Sequence, residues 1–375
     1  MKKDIVKAPN KTDTRESGIE LLRILLMLGV MTIHFNKPGV AVTFLSGSAF
    51  HFMNITESIV ICAVDGFMLI SGYYMCRSEK RKLVKPLMLL TELILMKLIW
   101  HIFSTVIHKE AFTAAGIFHA LLPDRYFIVL YIVVYILSVY VNPFLRDLSK
   151  TGWQRLMITL ILLFSVWPTI FDYLGDYEGA VITQISTIGL YGSGNGFTII
   201  TFMLMYIIGA YIRLNSIDEK YTNIPVLIAV LAACMFIIAV STYIDKSIML
   251  GHGMDITDSC TALQYNNPVV ILESIVVFLI FKNIHFKSRF INHIAQAAFT
   301  CYISHYFFRG ALYDRIGDAI GKGLLFFIGY WLFTIVVLYI IGYIVHIVYD
   351  NLSKPVFNKL DAFFEKRDLT LDLKR

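Results

Sequence analysis

Charge is what this sequence is short of. Only 16% of its 375 residues are Asp, Glu, Lys or Arg, against about 25% in an ordinary soluble domain. That shortage excludes a soluble enzyme of the usual kind and a disordered polar chain. Cysteine is scarce too: Cys62, Cys76, Cys234, Cys260 and Cys301 make an odd set with no CxxC pair. Such a set provides neither a disulfide framework nor a metal-ligand spacing, and reads as small core residues. No metal is therefore expected. No internal repeat is evident, which counts against transporters built from inverted repeats. The net charge of +6 does not indicate nucleic acid, because the basic residues are gathered in alternate loops.

What the chain has is apolar length. It is 57% hydrophobic, with a mean hydropathy of +0.67. With about 20 apolar residues per crossing, ten spans are predicted: 18–37, 51–75, 86–107, 126–144, 153–171, 197–213, 223–243, 268–282, 291–312 and 324–349. The stretch 111–122, AFTAAGIFHALL, is too short to span and is expected to lie at the interface or re-enter. The fold class is thus an all-α polytopic membrane protein of about ten transmembrane helices. With the N-terminus inside, 24 of the 33 lysines and arginines fall on the inner side and seven on the outer. This bias predicts that both termini are cytoplasmic. The expected organisation is a leader over 1–17, a membrane domain over 18–349 and a tail over 350–375. The loop 172–196 has no Lys or Arg and ends in GLYGSGNG. It is either a connector or part of an outer substrate mouth.

Ionisable groups inside spans are costly and mark candidate sites. The first span carries Glu20, Arg23 and His34. Arg23 and His34 are eleven residues apart, so a helix puts them on one face, roughly 16 Å apart along the axis. Taken alone, Arg23 reads as a snorkelling cation and His34 as a hydrogen-bonded core histidine. With Asp65, Glu273 and His305 also inside spans, the set points to a polar cavity within the bundle. An imidazole there can take a proton from a hydroxyl or be acylated itself. Asp65 needs a partner, with His34, Arg23 or a nearby hydroxyl as candidates. Ser71 and Tyr73 form a small polar turn at the inner end of the second span. The run Arg77, Lys80, Arg81, Lys82 and Lys85 follows at the membrane surface. It serves either lipid contact or the phosphates of a cytoplasmic cofactor.

Several stretches together resemble the integral-membrane acyltransferase-3 family. They are Arg23–x10–His34, VDGFMLISGYYM (64–75), KRKLVKP (80–86), RYFIVLYIVVYILSVYVNPFL (125–145) and FTCYISHYFF (299–308). They occur in the family's order. Tyr126 stands where Trp is usual, and Met68 interrupts the usual Phe-Phe pair. The resemblance implies a bacterial plasma-membrane O-acyltransferase of acyl-CoA, usually acetyl-CoA. The implied acceptor is an envelope glycan or lipid-linked saccharide. Carried onto these residues, His34 and Asp65 are the catalytic candidates. Arg23, Arg77, Arg81, Lys82 and Lys85 are the candidates for the CoA phosphates. Ser71, Tyr73, Glu273 and His305 are further buried polar candidates. The competing classes are a transporter or flippase of an envelope precursor, and a membrane sensor on the same scaffold. The pairing of Arg23–x10–His34 with the basic run favours the enzyme.

Overall fold

A computed structural model describes residues 15–36, 47–108, 113–179, 196–254, 260–367 and 369–372. Most of the leader 1–17, residues 180–195 of the outer loop with GLYGSG and Asn195, and residues 368 and 373–375 of the tail lie outside the described residues. A helix stands at each of the ten expected positions. Helix α1 is Ser17–Asn36. The second crossing, Ser48–Met75, breaks at residues 61–62 into α2 (Ser48–Val60) and α3 (Ala63–Met75). Then come α4 (Val84–His108), the short α5 (Ala114–Leu121) and α6 (Tyr126–Asp147). The fifth crossing, α7 (Lys150–Glu178), holds a π-helical turn at Leu162–Val166. The set closes with α8 (Ile199–Leu214), α9 (Ile224–Gly251), α10 (Pro268–Lys282), α11 (Ala298–Tyr313) and α12 (Leu324–Lys366).

Among the described residues, eight helices are long and apolar enough to cross a membrane, and α8 is a shorter apolar one. The remaining position, α11, is preceded by two short helical turns from Arg289 to Ala297. The chain is an all-α polytopic membrane protein. The expected end of the tenth span at 349 marks where apolar residues stop, but the helix itself runs on to Lys366. Its polar extension leads to strand β2 (Thr370–Asp372), which pairs antiparallel with β1 (Lys80–Lys82).

Burial sorts the helices into a core and a sheath. Within their spanning windows α1 is 67% buried and the second crossing 72%, whereas α4 and α9 are only 17% buried. The exposed side chains of α4, α9 and α12 are large and apolar, among them Ile99, Val106, Phe236 and Leu325. A hydrocarbon solvent accounts for that pattern, and water does not. Helix α1 packs against α2, α3, α10, α11 and α12, so its polar residues lie at the centre of the bundle.

Small residues permit the closest crossings, as helix packing in membranes requires. A Cβ on Gly72 of α3 would stand 2.0 Å from the Tyr206 carbonyl oxygen of α8. A Cβ on Gly209 of α8 would stand 2.2 Å from the Leu69 carbonyl oxygen of α3. The two glycines lock these helices backbone to backbone. Gly29 against Val60 and Ala63, and Gly66 against Leu26, set the level of the second crossing on α1.

Candidate active site

The last turn of α1 is pinned from three sides. The Tyr313 hydroxyl donates to the Met31 carbonyl at 3.4 Å, and the Trp331 indole donates to Thr32 Oγ1 at 3.3 Å. The Asn36 amide donates to Glu57 of α2, whose carboxylate also meets Lys246 at 3.7 Å. These contacts hold His34 in a fixed orientation toward α11. They are the local reason that an imidazole in an apolar helix has a defined direction.

His34 Nδ1 lies 2.7 Å from His305 Nε2, and His34 Nε2 lies 3.0 Å from the Tyr306 hydroxyl. His305 is fully buried, and its Nδ1 lies 3.1 Å from the Cys301 carbonyl oxygen. The chain assigns its own protons. A carbonyl only accepts, so His305 Nδ1 carries hydrogen and donates to Cys301. For a neutral imidazole, His305 Nε2 is then an acceptor, and His34 Nδ1 donates to it. His34 Nε2 is left as the acceptor, facing the Tyr306 hydroxyl. The arrangement is a base oriented by a second group that is itself oriented by backbone, the general logic of an activated nucleophile. His34 is partly exposed.

Tyr306 is flanked by cations. The Arg125 guanidinium carbon stands 4.0 Å from the centre of its ring, and that of Arg309 4.4 Å. Arg125 precedes α6, and Arg309 lies one turn beyond His305 on α11. Aromatic side chains continue the wall, with Tyr302 against His305 at 6.0 Å and Phe127 against Tyr302 at 5.3 Å.

The other predicted residues lie elsewhere. Asp65 is buried, and its Oδ2 has no hydrogen-bonding partner. The contacts of Gly66 and Gly29 put it level with the middle of α1, about two turns below His34. The structure thus joins His34 to His305 and does not join it to Asp65. Asp65 instead shares a buried neighbourhood with Cys62 and Glu273. Glu273 is also fully buried. All five cysteines are free thiols and buried. Among the described residues, no group of three or more His, Cys, Asp or Glu is placed to hold a metal.

Arg23 lies at the opposite end of α1 and meets Glu20 at 3.4 Å. Between Arg23 and His34, Met27 and Val30 are buried, while Leu21, Ile24, Leu25 and Leu28 beside them are partly open. Ser71 Oγ donates to the Phe67 carbonyl at 2.8 Å. The Tyr73 hydroxyl donates to Asp218 at 2.5 Å and accepts from Arg213 at 2.7 Å. In the basic run, Arg81 is buried and fully engaged. It donates to Ser138 Oγ at 2.8 Å and to the carbonyls of Met75 at 2.9 Å, Ser78 at 3.3 Å and Lys80 at 3.0 Å. Lys82 reaches Glu365 at 2.6 Å and Asp361 at 3.0 Å on α12. Those hydrogen bonds, to Glu365 first and Asp361 second, raise its pKa above the ordinary lysine value. Arg77 and Lys85 are exposed.

Sequence reasoning singled out His34 and His305 without pairing them. It missed Tyr306 entirely and counted Arg125 and Arg309 only as outer charges. The one available signal was the sequence HYFFR at 305–309, a histidine followed by an aromatic residue and, one turn on, a cation.

A family model described as an acyltransferase domain, Acyl_transf_3, matches residues 16–346. No curated protein and no solved structure matches the chain.

Proposed function

The chain belongs to the Acyl_transf_3 acyltransferase domain family, and from that premise we propose that it transfers an acetyl group from cytoplasmic acetyl-CoA to a hydroxyl of an envelope saccharide. It is a multi-pass membrane acyltransferase. The observation that carries the finer reading is the chain from the Tyr306 hydroxyl through His34 and His305 to the Cys301 carbonyl. His34 Nε2 is a base with a defined tautomer on a partly exposed side chain, at the end of α1 opposite Arg23. The inner-side excess of Lys and Arg supports cytoplasmic termini, and the family resemblance implies a bacterial plasma membrane. The β1 end then faces the donor pool.

In this mechanism the acceptor hydroxyl takes the position beside His34 Nε2 and gives up its proton there. Its oxygen forms the new C–O bond at the thioester carbonyl, and the C–S bond breaks. The departing sulfur takes the proton back from the His34 imidazolium and leaves as the CoA thiol. His305 Nε2 accepts from His34 Nδ1–H throughout and stabilises the imidazolium. Arg23, Arg77 and Lys85 suit the donor's phosphates. Arg81 holds the turn that presents them, and Lys82 ties that turn to α12. The roughly 16 Å between Arg23 and His34 suits the length of a pantetheine arm. Direct transfer is the simplest sequence. An acyl group trapped on His34 without acceptor would replace it with a two-step one.

The test uses membranes carrying the protein and radiolabelled acetyl-CoA. Label is expected in base-labile ester of the glycan fraction, and is expected to vanish with His34→Ala. Label undiminished in that variant overturns the role of His34. Movement of an envelope precursor with no acyl transfer overturns the proposed reaction.

A further inference from the structure

Several arginines of this bundle are matched by the protein's own acceptors. Arg23 meets Glu20, Arg146 meets Glu79, and Arg81 is enclosed by carbonyls and Ser138. Arg125 and Arg309 are different. The nearest carboxylate to Arg125 is Asp124, at 3.8 Å from its Nε, and that Nε is buried without a hydrogen-bonding partner. Asp124 is already held by Lys97 at 2.9 Å. Lys97 is in turn fixed by the His119 and Leu122 carbonyls at 2.8 and 2.7 Å. Arg309 contacts only the Tyr306 and Tyr313 rings among the described residues.

Since both guanidinium carbons lie near one ring centre, at 4.0 and 4.4 Å, they stand within about 8 Å of each other. Two cations held together in a half-buried place repel one another. Contact with the Tyr306 ring offsets part of that but neutralises neither charge. An anion held by both relieves that repulsion, and guanidinium is the group best shaped for carboxylate or phosphate. The Tyr306 hydroxyl, on the ring that both cations flank, donates to the base, His34.

We propose that Arg125 and Arg309 form an anion subsite for the acceptor, so that the preferred acceptor is an acidic saccharide bearing a carboxylate or a phosphate. Both guanidinium groups stand on the Tyr306 ring, whose centre is 4.9 Å from that of His34. The charged group is therefore on the residue that is acetylated or on its immediate neighbour. This rests on the acyl-transfer reading above and narrows its substrate class.

The experiment uses membranes from the cells that carry the full chain, radiolabelled acetyl-CoA and the resident glycan. The labelled product is expected to bind an anion-exchange resin. Loss of that binding on phosphoester cleavage identifies phosphate, and its loss on reduction of uronic acids identifies carboxylate. Arg309→Gln and Arg125→Gln are each expected to raise the glycan concentration for half-maximal transfer about tenfold, the weight of one charge-assisted contact. Their KM for acetyl-CoA is expected to stay unchanged, and Arg309→Lys to recover part of the loss. Independently of any variant, methyl glucuronide or glycerol 3-phosphate is expected to compete with the glycan at least tenfold better than methyl glucoside or glycerol. Label in a neutral product, or equal competition by charged and neutral probes, overturns the anion subsite and leaves acyl transfer standing. Absence of any His34-dependent label in the wild type overturns acyl transfer, and the subsite with it.

Discussion

At the β1 end of the bundle, cations are spent on the protein itself. Arg81, Lys82, Arg146, Arg213 and Lys282 reach, in turn, backbone carbonyls with Ser138, a pair of carboxylates on α12, Glu79, Tyr73 and Glu16. At the His34 end, Arg125 and Arg309 face a tyrosine ring, and the base Nε2 of His34 faces a hydroxyl. Satisfied charge builds the scaffold, and a cation with only a distant, shared carboxylate, as Arg125, or only ring contacts, as Arg309, looks outward to a ligand. The contrast also separates residues that share a motif. Arg81 and Arg77 belong to one basic run, yet one is buried in the fold and the other is exposed.

The largest effect is expected at the open end. His34→Ala removes the base while leaving the apolar packing of α1 intact. Transfer is expected to fall about 10³-fold, within the span of general-base contributions, measured as label transfer at saturating acetyl-CoA. Thermal stability in detergent should fall modestly, because the buried His305 Nε2 loses its donor, at a cost of about 1–3 kcal/mol.

How far the sequence foretold these two ends follows from what each feature depends on. The helices at the ten expected positions, eight of them long and apolar enough to cross a membrane among the described residues, were readable because a bilayer demands a fixed apolar length. His34 was readable because an ionisable group in such a length is conspicuous. The partnership of His34 with His305 spans 271 residues and depends on how α1 crosses α11, which no local pattern encodes. Tyr306 was hidden because tyrosine in an apolar helix looks like core. Arg125 and Arg309 were hidden by a rule that counts outer charges without asking what they touch. The break between α2 and α3 carries no proline or glycine, so nothing announced it. The extension of α12 to Lys366 follows helix-forming polar residues that hydropathy does not score.

Next in size is His305. Its replacement by Asn or Ala removes the acceptor that orients His34 Nδ1–H. A loss of about 10²-fold in kcat is expected, with KM for acetyl-CoA retained. A gain from His305→Gln over His305→Ala would sharpen the assignment, because the Gln carbonyl also accepts from Nδ1–H. An equal loss in kcat and in thermal stability would instead put His305 with the scaffold residues.

Arg81→Gln is expected to reverse the pattern. It removes hydrogen bonds from a buried cation to three carbonyls and Ser138. Asn142 still donates to the Met75 and Ser78 carbonyls at 2.9 Å, so the cost stays near about 2–3 kcal/mol. The expected readout is a lower Tm in detergent, with KM for acetyl-CoA unchanged in the protein that remains folded. A raised KM at unchanged Tm would move Arg81 from the scaffold to the donor site and weaken the contrast between the ends.

The smallest effect belongs to the clasp of β1 on β2 and α12. Lys82 holds Glu365 and Asp361, and Lys80 holds Asp372 at 3.0 Å. The Lys82 pairs are more than a third exposed on both sides and worth a few tenths of a kcal/mol each, while Lys80 is exposed and its partner Asp372 is buried. The Lys82 pKa is raised by its two carboxylates, so its share of stability is complete below the ordinary lysine range and fades only as pH rises through the raised value. Between roughly pH 6 and 9 the clasp should therefore hold, since lysine stays charged there. About 1 M salt, which shortens screening to roughly 3 Å, should loosen it. Lys82→Gln is expected to shift Tm by little and to make that shift insensitive to salt. A Tm loss as large as that of Arg81→Gln would mean that the clasp, and not the buried guanidinium, holds the basic run in place.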